Sequence, residues 1–492
     1  MSYCTHCGAE LRDDAAFCPK CGTKRYAGKP VVAEAVAEIS VPAERKRVPR
    51  WAPWTVGGVL VLILLISGIL WIMQSIGDAS DDTTHIFSHG LLAVQKGDKW
   101  GYVNPRGEIV IAPQFDEAYA FQENGLAIVM QGSRYGCIGT RGDFVINPQF
   151  TRMDAFQQGV ASVRVENSCG LINAQGEYVV EPLYLHCGIF SEYGLAVVLQ
   201  EKQQGRGLLQ TKYGYINQQG EMVIPAIFGY AHDFQENGLA WVLMDEVWGL
   251  IDEEGNYVVT PQYTARGDFA SNGLAVVEKD GRFGYINEKG EEVIACQFTN
   301  ALQFDEEGMA VVVLGDRCGL IDEKGNYIVN PIYDAIDEFA ENGLARVTDS
   351  GWDIGYINRK GELQIPIQYA NAEPFSANGL AAVMVQGSGI YGYINADEEY
   401  IIMPRFEEAR TFSRTGVAVV QENGRYGVIN QKGAYVLPPQ MDEISDFDAD
   451  GYASVRIGDT VGIINDEGEY VINPMFDAIC TSEVYVSPYE GR

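Results

Sequence analysis

Positive charge is scarce in this chain: 35 Lys and Arg stand against 67 Asp and Glu. The shortage is uneven. Residues 1–50 hold nine basic and six acidic side chains, so the remainder holds 26 and 61, a net of −35. Phosphate backbones are bound by clusters of Lys and Arg, so an array this acidic excludes nucleic acid as a partner and reads most simply as a soluble, self-repelling surface. Histidine is scarcer still, with five residues at His6, His85, His89, His186 and His232, none beside a nucleophile pattern. Neither a nucleophile-elbow pentad nor a phosphate-binding loop ending in Lys-Ser/Thr occurs. Carboxylates are abundant enough for a glycosidase-type pair to stay open. Most, however, sit in turns such as Asp252-Glu253-Glu254-Gly255 and Asp466-Glu467-Gly468, where water accounts for them. Those turns also lack the alternating ligand spacing of a calcium loop. The expectation is a binding protein, not an enzyme.

Cysteine is too sparse for a disulfide framework: Cys137, Cys169, Cys187, Cys296, Cys318 and Cys480 are scattered singly. The other four crowd into the first 21 residues as Cys4-Thr5-His6-Cys7-Gly8 and Cys18-Pro19-Lys20-Cys21-Gly22. Each Cys-x-x-Cys knuckle brings two thiolates to one metal, and two knuckles complete a tetrahedron around Zn²⁺. The glycine after each pair lets the chain turn back on the sulfurs. So short a segment builds no core of its own, and metal binding supplies its folding energy. Cys4, Cys7, Cys18 and Cys21 are the expected ligands of a structural zinc; His6 is left over because four cysteines fill the site. Residues 3–24 resemble the short zinc-ribbon family found at bacterial N-termini, which implies a structural or interaction module, here one meeting a cytosolic protein.

Residues 26–50 read as a flexible linker. From Trp51 to Gly77 no side chain is charged, and Trp54–Met73 is 20 residues of mostly Val, Leu and Ile. At roughly 1.5 Å per residue this matches the roughly 30 Å of a bilayer core. Trp51, Trp54 and Trp71 suit its two interfaces. Arg45, Lys46, Arg47 and Arg50 precede the segment and Asp78, Asp81 and Asp82 follow it, which keeps the N-terminus in the cytosol. The expected layout is ribbon 1–25, linker 26–50, transmembrane helix 51–77, juxtamembrane linker 78–89 and an extracellular domain 90–492.

That last domain is repetitive. One unit reads Gly273-Leu-Ala-Val-Val, Arg282-Phe-Gly-Tyr-Ile-Asn287, then Glu-Lys-Gly290-Glu-Glu-Val-Ile. Its anchor glycine recurs at Gly101, Gly136, Gly170, Gly214, Gly249, Gly284, Gly319, Gly355, Gly392, Gly427 and Gly462. Of the ten intervals nine lie near 35 residues and one is 44, which holds an insertion around Leu199–Lys212. The runs are short, β-branched and aromatic, and broken by turn residues, so each unit is β-structure. Asn287 opens a type I turn that ends on Gly290, the Asn-Gly pairs such as Asn272-Gly273 favour type I′ turns, and proline at Pro113, Pro261 or Pro474 closes a strand. The aromatics before the anchors, such as Trp100, Trp248 and Phe283, read as wedges between units.

Trp100-Gly101 and Trp248-Gly249 resemble the WG-repeat family of bacteria, over about residues 88–480. The resemblance implies a β-repeat architecture, often surface-exposed, and no set activity. Four strands per unit fit a propeller blade, yet about eleven units exceed the usual number. A ring or rings and an open superhelix are both expected outcomes. The function expected is a cell-surface binding or scaffolding module for a protein or glycan. The alternatives are a cell-wall or glycan-acting enzyme and a transmembrane sensor.

Overall fold

The computed structural model describes residues 85–204 and 208–482, with the backbone of two short strands, Ser2–Tyr3 and Glu10–Leu11. The linker and the apolar segment 51–77 lie outside the described residues. Among the described residues no helix is long and apolar enough to cross a membrane. The chain divides into two units, Met1–Ser80 and Asp81–Arg492. In the first, Ser2–Tyr3 pairs antiparallel with Glu10–Leu11, a hairpin that brackets the first cysteine knuckle in sequence.

The second unit is all β. Its described strands form nine four-stranded sheets and one of seven strands, in which Leu363–Ala372 closes one set of four and opens the next. The result is eleven four-stranded units, numbered here as sheets 1 to 11 by their anchor glycines. Sheet 6 is typical: Ala265–Phe269, Leu274–Lys279, Arg282–Asn287 and Glu292–Phe298, each antiparallel to the last. Its fourth strand buries only Ile294 and Phe298, so one face of a short strand meets the core.

The turns follow side-chain chemistry. Asn287 Oδ1 accepts the N–H of Lys289 at 3.0 Å and of Glu291 at 2.9 Å, and Gly290 N–H returns to the Asn287 carbonyl at 2.8 Å. Gly290 takes φ +78°, the left-handed position foreseen for it. The Asn-Gly turns differ from expectation. Gly273 is left-handed at φ +74°, but Asn272 is absent from the left-handed region, and a type I′ turn needs both residues there. Instead Asn272 Oδ1 accepts the N–H of Leu274 at 3.1 Å. An asparagine side chain that caps the turn makes the second left-handed residue unnecessary.

The anchor glycines answer to sterics. A Cβ on Gly284 would lie 2.5 Å from the Ile294 carbonyl oxygen and 2.6 Å from the Cys296 nitrogen. The fourth strand bulges over the glycine there, between the pairs Phe283–Phe298 and Tyr285–Ile294. Proline occupies that bulge in other sheets: Pro113 lies inside Ile109–Phe115, against Gly101. It therefore marks an irregularity within the last strand of its sheet, not a strand end, because a bulged edge residue owes no N–H to a ladder.

Neighbouring sheets are joined by cores and by one recurring hydrogen bond. Tyr102, Tyr215, Tyr285, Tyr356 and Tyr393 are buried, and each phenol donates to the backbone carbonyl 17 residues on, in the next sheet, at 2.6–2.8 Å. Tyr285 thus packs with Phe304, Val312 and Ile321 of sheet 7. Eleven such cores lie between successive sheets. The one holding Leu92, Val94 and Val103 of sheet 1 takes Ile463, Ile472 and Phe476 from sheet 11. Sheet 1 also borrows its first strand from the far end of the chain: Ala478–Cys480 pairs with Leu92–Lys96. The succession of sheets returns to its start.

Candidate ligand-binding site

A repeat advertises a site where it stops repeating. Arg266 sits second in the first strand of sheet 6, pairing with Val277. The same slot holds Ala118, Met153, Cys187, Ala231, Ala301, Ile336, Ala372, Ala409, Ile444 and Ile479 in the other sheets. An arginine where ten units place an apolar side chain must find partners or pay for desolvation. It finds them locally. The guanidinium stacks over the indole of Trp248 at 5.2 Å from the ring centre and pairs with the Asp268 carboxylate. Its side chain is 11% exposed, while Asp268 is 63% exposed. Gln235 Nε2 holds the same carboxylate at 2.8 Å.

Trp248 is the aromatic before the anchor of sheet 5, and a chain of rings leads away from it. His232 lies 5.3 Å from Trp248, Tyr230 lies 5.0 Å from His232, and Tyr213 lies 4.8 Å from Tyr230. Tyr230 is 40% exposed and Trp248 is half-buried. The expectation of buried wedges therefore needs correction: Trp100, Tyr135, Tyr213, Trp248, Phe283, Tyr391 and Tyr426 are all half-buried, at the end of the sheet where the third strand begins. Burial holds His232 down to about 4, with the Arg266 charge acting the same way, so its imidazole is neutral at physiological pH. Asp233, beside it in sequence, is pushed up to about 6 by the atoms crowding it, although it accepts the Val197 N–H.

The insertion falls at this same end. Leu195–Gln204 and Leu208–Asn217 pair in register over ten residues each, so the insertion lengthens the paired strands of sheet 4. Tyr213, first of the rings, pairs with Leu199 where the extension begins. Sheets 4 to 6 thus combine a lengthened strand pair, three aromatic rings, a neutral histidine and an ion-paired arginine. This arrangement can take a planar or apolar group against the rings and hydrogen-bond it through His232 and Asp268.

A second charged residue in an apolar slot, Arg346, spends its bonds between sheets: it donates to Asp337 at 2.5 Å and to the Ala372 carbonyl at 2.5 Å. His85, away from the patch, pairs with Asp450 at 2.7 Å, while His186 lies 6.5 Å from the Tyr213 ring. Cys4, Cys7, Cys18 and Cys21 lie outside the described residues. Among the described residues no group of three or more His, Cys, Asp or Glu could hold a metal ion. Arg266 and the ring chain carry no motif of their own and stand out in the sequence only when the units are aligned by their anchor glycines.

Tandem four-stranded sheets, a glycine-anchored third strand and packing between successive units define a β-repeat protein. The WG containing repeat matches residues 100–135, 135–169, 170–202, 213–248, 248–283, 283–318, 319–351, 354–387, 391–426 and 426–460, and the chain belongs to that family. A zinc-ribbon domain matches residues 3–25. No curated protein matches the chain significantly. Likenesses to solved structures are weak. A eukaryotic initiation factor is 9% identical, covering 65% of this chain and 94% of that one at a TM-score of 0.35. A chain described as the extracellular domain of a hybrid two-component system of B. thetaiotaomicron is 9% identical, over 78% of this chain and 63% of that one, at 0.23. Hsv2 of Kluyveromyces lactis is 11% identical, over 49% and 95%, at 0.26. At such scores these likenesses carry no argument about function.

Proposed function

We propose that the chain is a membrane-anchored binding or scaffolding protein whose repeats close into a propeller-like ring of eleven blades and present the patch on sheets 4 to 6 to a protein or glycan outside the cell. One observation carries the binding reading: the array's long insertion, Tyr230, His232 and Arg266 gather with the anchor aromatics Tyr213 and Trp248 at one end of three consecutive sheets. Packing does not call for Arg266, since the other units fill its slot with Ala, Ile, Met or Cys. The ring reading draws on the pairing of Ala478–Cys480 with Leu92–Lys96 and on the core shared by sheets 11 and 1. The anchor reading rests on the uncharged run 51–77 and its basic and acidic flanks. Four thiolates with no open position suit a structural zinc held by Cys4, Cys7, Cys18 and Cys21 in the cytosol. Catalysis is the weaker reading, because Asp268 is engaged by Arg266 and Gln235 and His232 is held neutral.

The test places a photoreactive benzoylphenylalanine at Tyr230, and separately at Asn300, the same slot in sheet 7, in intact cells. Cross-linked adducts at 230 and none at 300 are expected. Equal adducts, or none at either position, would overturn the assignment of this patch.

A further inference from the structure

Two slots that touch across neighbouring sheets hold Trp248 and Arg266 in sheets 5 and 6, 18 residues apart. In sheets 3 and 4 the same two slots hold Cys169 and Cys187. Both side chains are buried, at 1% and 3% exposure, and both belong to the core between those sheets, with Leu171, Val198 and Phe190. The two thiols thus share one dry core, Cys169 from the third strand of sheet 3 and Cys187 from the first strand of sheet 4. Ser162 Oγ lies 3.3 Å from the Cys169 sulfur. Both cysteines are free thiols in the structure.

We propose that Cys169 and Cys187 form a reversible disulfide that ties sheet 3 to sheet 4, closed by a peroxide. The two sulfurs divide the work. Cys169 is held below the usual thiol range by the Cys187 hydrogen bond, with Ser162 and Arg164 adding to it, while Cys187 is driven up because it is the donor and is buried. The Cys169 thiolate attacks one peroxide oxygen, the O–O bond breaks, and one water leaves as Cys169 becomes a sulfenic acid. The Cys187 sulfur then attacks that sulfur, the S–O bond breaks, and a second water leaves with the Cys187 proton. Two thiols and one peroxide give one disulfide and two waters, so two electrons pass from sulfur to oxygen. The bond would replace a contact between neighbouring sheets with a covalent one across an 18-residue loop, and dithiol exchange would reopen it. The other buried thiol, Cys137, donates to Met153 Sδ at 3.6 Å. This inference is independent of the ligand reading and of the compartment in which the array lies.

The experiment uses the full chain, reduced, freed of reductant and titrated with hydrogen peroxide. Free thiols are then alkylated and the digest is read by mass spectrometry. A linked Cys169–Cys187 peptide, roughly 2 Da lighter than its two thiol parts, is expected while Cys137 is still alkylated, and dithiothreitol should abolish it. In Cys187→Ala, which places in this slot the residue that sheets 2, 5, 7, 9 and 10 carry there, Cys169 should instead be trapped by dimedone as a sulfenic acid. The proposal is overturned if the wild-type chain shows no linked peptide at peroxide levels that have already oxidised the half-buried Cys296, Cys318 and Cys480. Dimedone capture of Cys169 to the same extent in wild type and variant overturns it equally, since no resolving thiol would then be acting.

Discussion

The phenolic oxygen of Tyr285 lies 2.6 Å from the carbonyl oxygen of Leu302, in the next sheet along. Five sheets carry this tyrosine and six do not, sheet 5 among them. Leu250 stands in the tyrosine slot, and Trp241, which pairs with it across the sheet, supplies the missing volume. Trp241 Nε1 is buried there without a partner.

The bond and the ring can be separated by substitution. Tyr285→Phe keeps the volume and orphans one carbonyl, so it should cost about 1–2 kcal/mol. Tyr285→Ala also opens a cavity and should cost about 3–5 kcal/mol. Urea midpoints in which the two variants match would show that the ring contributes nothing beyond its hydroxyl.

Gly284 should tolerate no side chain. Its new methyl in Gly284→Ala would meet backbone atoms of Ile294 and Cys296, which cannot swing aside, and a cost of about 3 kcal/mol or more follows. Glu288→Ala removes only an exposed 3.2 Å hydrogen bond from Asn237 and should stay within about 1 kcal/mol. The reverse order in denaturant melts would make the turn carboxylates structural.

His232 and Asp233 should pull stability in opposite directions with pH. The His232 value falls from 6.5 to about 4 on folding, so its contribution is complete above 6.5 and is lost as pH drops toward 4. Asp233 rises from 3.8 to about 6, so its contribution is complete below 3.8 and is lost as pH climbs to 6. His232→Gln should therefore leave a chain that weakens as pH rises from 4 to 6, and Asp233→Asn one that weakens as pH falls from 6.5 to 4. Identical slopes in wild type and both variants would refute the assignment.

Metal analysis of the full chain should find one zinc, and Cys18→Ser should lose most of it, because a thiolate contributes both charge and softness that a hydroxyl lacks. Unchanged zinc content in the serine variant would remove Cys18 from the ligand set.

Protease added to intact cells should digest the region after residue 78 and spare residues 1–25. Protection of the repeats would reverse the orientation read from Arg45, Lys46, Arg47 and Arg50.

The repeat and its turns were legible in the sequence because glycine and asparagine are required by local backbone geometry, and local geometry leaves a fixed spacing. Gly290 and Asn287 are found this way. The Tyr285–Leu302 bond was not, since it joins two units at half a repeat's separation and nothing in Leu302 marks it as an acceptor. The type I′ reading of Asn272-Gly273 failed where the asparagine side chain took over a bond the backbone would have made. Arg266 was hidden differently: within its own unit it looks like any surface arginine, and only its ten counterparts reveal that the slot is internal.

The clasp between Ala93 and Cys480 has a kinetic consequence. Nearly every other contact in the array joins residues within one repeat or its neighbour, so folding can spread from any sheet outward with little loop entropy to overcome. The clasp and the contacts beside it, His85 with Asp450 and Ile86 with Asp448 among them, join the two ends of the array, and no partial array can form them. The clasp is held by three residue pairs, Ala93–Cys480, Val94–Ile479 and Gln95–Ala478, with the Asp477 N–H bonding the Gln95 carbonyl at 3.0 Å. Closure should be the last step of folding and opening the first step of unfolding. Amide protons of Val94 and Ile479 should then exchange ahead of those in sheets 5 to 7, giving the array a seam in time as well as in sequence.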